Sequence, residues 1–216
     1  MSTYGFLHTA AVHVAAFTAL LDEISPGDRA VHVVDESLLT DARRRGRVDD
    51  DLRRRITAGI AELTAEGAGP VVCTCSTIGA TAEDIGHHTG VAVLRVDRPM
   101  ARMAVTSGHR LAIVAALEST LGPTRALLLE EAAAAGRPVT VTDAPCPGAW
   151  THFEAGDLDR YLAAVAAHVE SLDGDFDVIV LAQASMAPVQ RLVQPSALVL
   201  SSPRTAVTAL VQGDLR

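Results

Sequence analysis

The chain has 216 residues, of which 49% are hydrophobic and 20% are charged, and its net charge is −8. These values are typical of a globular protein with one large domain or two smaller ones, whose core needs no disulfide or metal. No apolar run is long enough to cross a bilayer, and the first residues lack the basic and apolar regions of a signal peptide. We therefore expect a cytoplasmic protein without a membrane partner. The negative charge also disfavours nucleic-acid binding.

The basic residues are all arginine, since the sequence has 18 arginines and no lysine. Pyridoxal-phosphate chemistry through a lysine Schiff base is therefore excluded, as is a phosphate-binding loop of the Walker type. The three cysteines form no CxxC pair, and no group of His, Cys and Asp has the spacing of metal ligands. We expect neither a disulfide framework nor a metal site.

Strands and helices alternate through the first half of the chain. The predicted strands are residues 4–7, residues 30–34, a segment that begins at Val71, and residues 91–96. The predicted helices are residues 10–21, 49–66 and 81–87. This strict alternation is typical of parallel βαβ units.

The second half repeats this plan. Its predicted strands are residues 111–116, 139–141, 178–181 and 198–200. Its predicted helices are residues 123–135, 157–172 and 203–210, and residues 143–148 are predicted to be an irregular loop. We therefore predict an α/β fold with two pseudo-symmetric lobes, each a mostly parallel sheet flanked by helices, and an active site in the cleft between them. The predicted lobes are residues 1–97 plus 200–216 and residues 98–199, with the boundary near 97–108.

The strand that begins at Val71 leads directly into a small polar turn, Cys75-Ser76-Thr77. Ligands of open α/β sheets bind at the carboxyl ends of strands. A thiol, two hydroxyls and several turn amides at such an end can form a nucleophile or acid beside an anion cradle. Cys75 is therefore the main catalytic candidate. The alternative is that Cys73 and Cys75 are simply small buried hydrophobic residues.

Two segments of the chain resemble each other. Residues 71–79 align without a gap with residues 180–188, so that serine lies opposite serine and Cys75 lies opposite Ala184. Each lobe then offers a strand that ends in a small residue and a serine. A chance match is the alternative explanation for so short an alignment.

The turns Cys75-Ser76-Thr77 and Gln183-Ala184-Ser185 resemble the first-lobe and second-lobe cysteine turns of the aspartate/glutamate racemase superfamily. Residues 6–9, 96–99 and 202–204 are also similar to segments of its members. This superfamily includes glutamate, aspartate and hydantoin racemases, maleate isomerase and arylmalonate decarboxylase. The resemblance covers nearly the whole chain. It implies a small carboxylate substrate, no cofactor, and two cysteines that exchange protons on opposite faces of the carbon next to the carboxylate.

Ala184 stands where the resemblance places the second cysteine, so the two-thiol mechanism does not carry over unchanged. Cys146 could act as the second thiol. A different acid or base, namely His8, Asp35 or His152, could act on the opposite face. Otherwise the reaction needs only one proton transfer, as in decarboxylation or another lyase step. A non-catalytic protein that binds carboxylates or partners is the alternative from a different class.

Six further residues are candidates for substrate binding, each with a structural alternative: Thr9, Ser76, Thr77, Thr120, Ser185 and Arg204. Ser76, Thr77 and Ser185 can each donate a hydrogen bond to a carboxylate or cap the helix that follows. The other two threonines lie at matching strand ends, where they either bind substrate or cap a helix. The arginine can pair with a substrate carboxylate or form a structural ion pair. Paired lobes of this kind commonly associate, which is compatible with a homo-oligomer.

Overall fold

The computed structural model describes residues 1–214 and divides the chain into two compact units. One unit comprises Met1–Asp97 together with the chain from Pro203 onward, and the other comprises Arg98–Ser202. Among the described residues, no helix is both long and apolar enough to cross a membrane.

The first unit is built on four strands, numbered along the chain: β1 (Thr3–His8), β2 (Arg29–Val34), β3 (Val71–Cys73) and β4 (Val93–Arg95). They form one parallel sheet in the order β2-β1-β3-β4. Its helices are α1 (His13–Ile24), α2 (Glu36–Arg45), α3 (Asp50–Ala65), α4 (Ser76–Thr89) and α9 (Ser202–Gln212).

The second unit also contains four strands: β5 (Arg110–Ala115), β6 (Thr140–Pro145), β7 (Val178–Leu181) and β8 (Leu198–Ser201). They form a parallel sheet in the order β6-β5-β7-β8, which is the strand order of the first unit. Its helices are α5 (Arg98–Ser107), α6 (Glu118–Ala134), α7 (Ala149–Glu154), α8 (Leu158–Ser171) and a 3-10 helix (Ala184–Arg191). The predicted α/β fold with two parallel sheets is confirmed.

The third strand of each unit is the most apolar. All residues of β3 and of β7 are fully buried, as expected for parallel strands covered on both faces. β3 and β7 also occupy the same place in the two strand orders, so the sequence alignment of residues 71–79 with 180–188 joins equivalent strands.

Two helices of the first unit begin with an aspartate whose carboxylate satisfies a free amide. Asp35 accepts a hydrogen bond from the Ser37 amide at the start of α2, at 3.0 Å. Asp49 accepts one from the Leu52 amide at the start of α3, at 3.1 Å. Such caps stabilise a helix by about 1 kcal/mol each. α2 ends at Gly46, whose φ of 66° lies in the left-handed region that favours glycine.

Two segments have secondary structure that the sequence did not predict. Residues 98–107, for which no element was predicted, form helix α5, because Pro99 is tolerated in a first turn and Met100 and Ala104 bury one face. Residues 143–145, predicted as part of an irregular loop, belong to β6. β6 is an edge strand of its sheet, where a proline such as Pro145 removes no essential hydrogen bond.

Candidate active site

Cys75 lies between β3 and α4, at the carboxyl edge of the first sheet. Its backbone is extended, with φ −116° and ψ 115°, and it occupies the N-cap position of α4. The residue is 8% exposed and packs with the apolar core that contains Ile78 and Cys73. This location combines a thiol, the amides of a first helical turn and the positive end of a helix.

Two opposing effects act on the Cys75 thiol. Burial is the larger and raises its pKa. The Thr9 hydroxyl, the amides of Ile78 and Thr77 and the Thr77 hydroxyl all favour the thiolate and oppose this rise. The net pKa is raised, so the resting group is a neutral thiol whose surroundings already contain the donors that a thiolate needs.

Thr9 reaches this site because β1 and β3 are neighbours in register. Leu7 pairs with Cys73 in the sheet, and the Thr74 amide donates to the Leu7 carbonyl at 3.0 Å. The residues that follow, Thr9 and Cys75, therefore leave the sheet side by side. Thr9 is buried, with 7% of its surface exposed.

Ser76 and Thr77 form the first turn of α4. Ser76 is buried, whereas Thr77 is partly exposed and its hydroxyl favours the Cys75 thiolate. The structure thus brings four of the residues singled out from the sequence to one place, namely Thr9, Cys75, Ser76 and Thr77.

His8 is fully buried at the end of β1, and both of its ring nitrogens are engaged. Nδ1 lies 2.9 Å from Thr74 Oγ1, and Nε2 lies 2.9 Å from His32 Nδ1. Burial, followed by the neighbouring His32 and His13, lowers the pKa of His8 to about 3. His8 is therefore neutral across the physiological pH range.

Cys73 and Arg204, also in the first unit, have structural partners. The Cys73 thiol is fully buried and donates to the Cys75 carbonyl at 3.7 Å, and burial raises its pKa. Arg204 forms a half-exposed ion pair with Glu23 at 2.7 Å. Asp35, the alternative base, pairs with Arg55 at 3.1 Å in addition to capping α2.

The second unit has a different arrangement at the equivalent strand end. Ala184 begins the 3-10 helix that follows β7, and Ser185 Oγ lies 2.7 Å from the Tyr161 hydroxyl. Gln183 Oε1 accepts hydrogen bonds from the Ala116 amide at 2.6 Å and the Leu117 amide at 3.1 Å. The Gln183 side chain thus fills the position that an anion would take beside two backbone amides. We did not single out Gln183 from the sequence, although it directly precedes Ala184.

Cys146 follows β6 and is buried in an apolar cluster with Tyr161 and Val165. Its thiol donates to the Ala164 carbonyl at 3.8 Å, and burial raises its pKa. Thr120, expected at a strand end, instead lies in the first turn of α6, because that helix begins at Glu118. Among residues 1–214, no group of three or more His, Cys, Asp or Glu side chains is placed to hold a metal ion.

Comparison with known proteins places the chain in one family. The model of the family described as Asp/Glu/Hydantoin racemase matches residues 9–210. Three solved structures with similar folds are racemases, an aspartate racemase from Picrophilus torridus, a glutamate racemase from Aquifex pyrophilus and an allantoin racemase from Pseudomonas fluorescens.

The similarity to these structures lies in the fold rather than in the sequence. The Picrophilus protein has a TM-score of 0.74 at 13% identity, covering 99% of this chain and 94% of that chain. The Aquifex protein has a TM-score of 0.69 at 17% identity, covering 98% of this chain and 83% of that chain. The Pseudomonas protein has a TM-score of 0.61 at 16% identity, covering 99% of this chain and 92% of that chain. No sequence among the curated proteins matches this chain.

Proposed function

Because the chain belongs to the Asp/Glu/hydantoin racemase family, we propose that it is a cofactor-independent isomerase that moves a proton at a carbon next to a carboxylate. Cys75 is the thiol acid or base of this reaction. The observation that carries the proposal is the position of Cys75 at a strand end and helix N-terminus, with the Thr9 and Thr77 hydroxyls favouring its thiolate.

The chemistry follows from these neighbours. As a thiolate, Cys75 takes the proton from the carbon, and the electron pair left behind spreads onto the carboxylate as an enediolate-like intermediate. As a thiol, Cys75 returns a proton to the same intermediate. Hydroxyl and amide donors around the sulfur stabilise its negative charge, and turn hydroxyls such as that of Ser76 can hold the carboxylate.

Inversion needs a second proton carrier, because one thiol serves one face of the carbon. The second family cysteine is replaced by Ala184. Cys146 is the remaining thiol of the second unit, and its present partner is a single carbonyl at 3.8 Å, a weak hydrogen bond. Cys146 is the candidate for the second carrier, and this role requires its sulfur to leave the apolar cluster that buries it.

Exchange of the substrate hydrogen with solvent tests this function. The purified protein is incubated in D₂O with single enantiomers of aspartate, glutamate, hydantoins and hydroxy acids, and deuterium at the carbon is followed by NMR. We expect exchange with at least one of them, and its loss in Cys75→Ala. Cys73→Ala is the matched control, because it removes the neighbouring thiol and leaves the groups that favour the Cys75 thiolate in place. Exchange at the parental rate in Cys75→Ala would refute the proposal.

Ala184 favours a second candidate function, a decarboxylase that needs one proton only. A substrate with two carboxylates on one carbon loses carbon dioxide, the electron pair remains as an enediolate, and the Cys75 thiol gives its proton to that carbon. Water then reprotonates the thiolate. Release of carbon dioxide from substituted malonates, with solvent deuterium in the product, distinguishes this reaction from isomerisation. Binding of carboxylates with neither exchange nor release would indicate a non-catalytic member of the fold.

A further inference from the structure

A series of hydrogen bonds links four side chains across the first sheet, starting at Thr74, the residue before Cys75. Thr74 Oγ1 donates to the Leu7 carbonyl at 3.1 Å and lies 2.9 Å from His8 Nδ1. His8 Nε2 lies 2.9 Å from His32 Nδ1. His32 Nε2 lies 2.9 Å from Thr18 Oγ1 on α1. This series of hydrogen-bonded side chains links the end of β3 to β1, β2 and α1.

Both ends of this series meet a backbone carbonyl. The Thr74 hydroxyl lies 3.1 Å from the Leu7 carbonyl, and the Thr18 hydroxyl lies 2.9 Å from the Val14 carbonyl. Carbonyls only accept, so the two ends favour opposite placements of the imidazole protons, and the distances are compatible with either neutral tautomer of His8. In both tautomers Nδ1 bonds Thr74 and Nε2 bonds His32.

The groups around His8 keep it neutral. Phe17 and Phe6 pack against its ring, with centroids 5.6 Å and 6.1 Å away. The titratable groups that face it are His32 from β2 and His13 from α1, with ring centroids 5.1 Å and 6.3 Å away. A second proton on His8 would place a positive charge in this buried aromatic cluster beside two further imidazoles.

The His8–Thr74 bond lies one residue before the groups of the candidate site. Thr9 follows His8, and Cys75 follows Thr74. The bond therefore joins the ends of β1 and β3 at the point where the chain leaves the sheet, directly before the Thr9 hydroxyl and the Cys75 sulfur.

We propose that His8 is a positioning residue, which holds Thr74 through Nδ1 and thereby keeps the Thr9 hydroxyl beside the Cys75 sulfur. His32, which is itself bonded to Thr18, holds the other ring nitrogen. This inference deepens the function proposed above, and it assigns His8 a role through Thr74 rather than contact with the substrate.

The test measures how readily Cys75 ionises. Iodoacetamide labelling is followed between pH 7 and 11, and fragment-ion mass spectrometry separates Cys75 from Cys73. His8→Leu removes the bond, Thr74→Val removes the hydroxyl at nearly constant shape, and His8→Asn keeps a hydrogen-bonding amide near the place of Nδ1. Thr124→Val is the matched control, because Thr124 is fully buried and its hydroxyl has no hydrogen-bond partner among residues 1–214.

If the inference is correct, His8→Leu and Thr74→Val raise the labelling midpoint of Cys75 by about one pH unit, as expected for the loss of one hydrogen bond to a thiolate. His8→Asn and Thr124→Val leave the midpoint unchanged. An unchanged or lower midpoint in folded Thr74→Val overturns the inference, even if His8→Leu fails to fold. Labelling needs no substrate, so this result stands apart from the exchange experiment, which alone decides the proposed function.

Discussion

The Thr9 hydroxyl favours the thiolate of Cys75 from the neighbouring strand, although the two residues are far apart in sequence. Thr9 follows the last residue of β1, and Cys75 lies just beyond β3. Parallel pairing of these strands is therefore what creates the site.

Removing this hydroxyl should impair proton transfer. In Thr9→Val the thiolate loses one donor, so we expect the pKa of Cys75 to rise and proton exchange near neutral pH to slow about tenfold. The pH–rate profile in D₂O measures both effects, with the rising limb displaced to higher pH. Thr9→Ser, which keeps the hydroxyl, is the control. A profile identical for Thr9→Val and wild type would show that the hydroxyl has no part in the reaction.

Stability should fall on mild acidification. Burial lowers the pKa of His8 to about 3 and of His13 to about 4, from 6.5 for both. The unfolded chain therefore binds more protons than the folded one below pH 6.5. Above pH 6.5 both histidines are neutral in the folded and the unfolded chain, so stability is fully retained. Below pH 6.5 the free energy of unfolding falls, until folded His13 binds its proton near pH 4 and folded His8 near pH 3. Each group adds a slope of about 1.4 kcal/mol per pH unit to the free energy of unfolding.

Urea denaturation at pH 7, 6 and 5 measures this slope. His13→Leu should flatten it, because the unfolded variant has one fewer imidazole to protonate. Equal unfolding free energies of the wild type at pH 7 and pH 5 would contradict the expected shift.

Breaking the buried pair of Arg95 and Asp97 should cost far more than breaking an exposed one. Asp97 is fully buried, and Arg95 bonds it through two nitrogens at 2.7 Å and 2.9 Å. Asp97→Asn removes the negative charge that these two nitrogens bond, so we expect a loss of about 3–5 kcal/mol. Arg204→Ala, which breaks a half-exposed pair with Glu23, should cost less than about 1 kcal/mol. Denaturation midpoints of the two variants provide the comparison.

The amides at the end of β5 depend on Gln183. In Gln183→Ala the Ala116 and Leu117 amides lose their acceptor, which we expect to cost about 1–3 kcal/mol. Gln183→Glu keeps an oxygen in place and should retain most of the stability. Thermal denaturation of the wild type and both variants measures this difference. A melting temperature of Gln183→Ala equal to that of the wild type would mean that water replaces the side chain at no cost.

The alternation of apolar strands and amphipathic helices was enough to predict two parallel sheets, because period and order alone determine βαβ units. Helix α5 escaped prediction, since a short helix that opens with Arg98-Pro99 looks like a connecting segment until Met100 and Ala104 are seen to be buried. β6 escaped in part because Pro145 is compatible with a strand only at a sheet edge, and edge position is a tertiary property.

Only those features of the candidate site that lie close together in the sequence were predictable. Cys75 stood out because its strand and turn are contiguous. The partners of His8 did not, because Thr74 and His32 are 66 and 24 residues away and come together only through strand register. Gln183 escaped because the amides that donate to its side chain lie 66 and 67 residues earlier in the chain. Hydrophobic periodicity carries no information about such pairings.

All the groups that favour the Cys75 thiolate belong to one half of the chain, since Thr9, Thr77 and Ile78 all precede Asp97. The ionisation of this thiol is thus governed by the unit that contains Met1–Asp97. Substitutions confined to Arg98–Ser202 should therefore leave the intrinsic acidity of Cys75 unchanged.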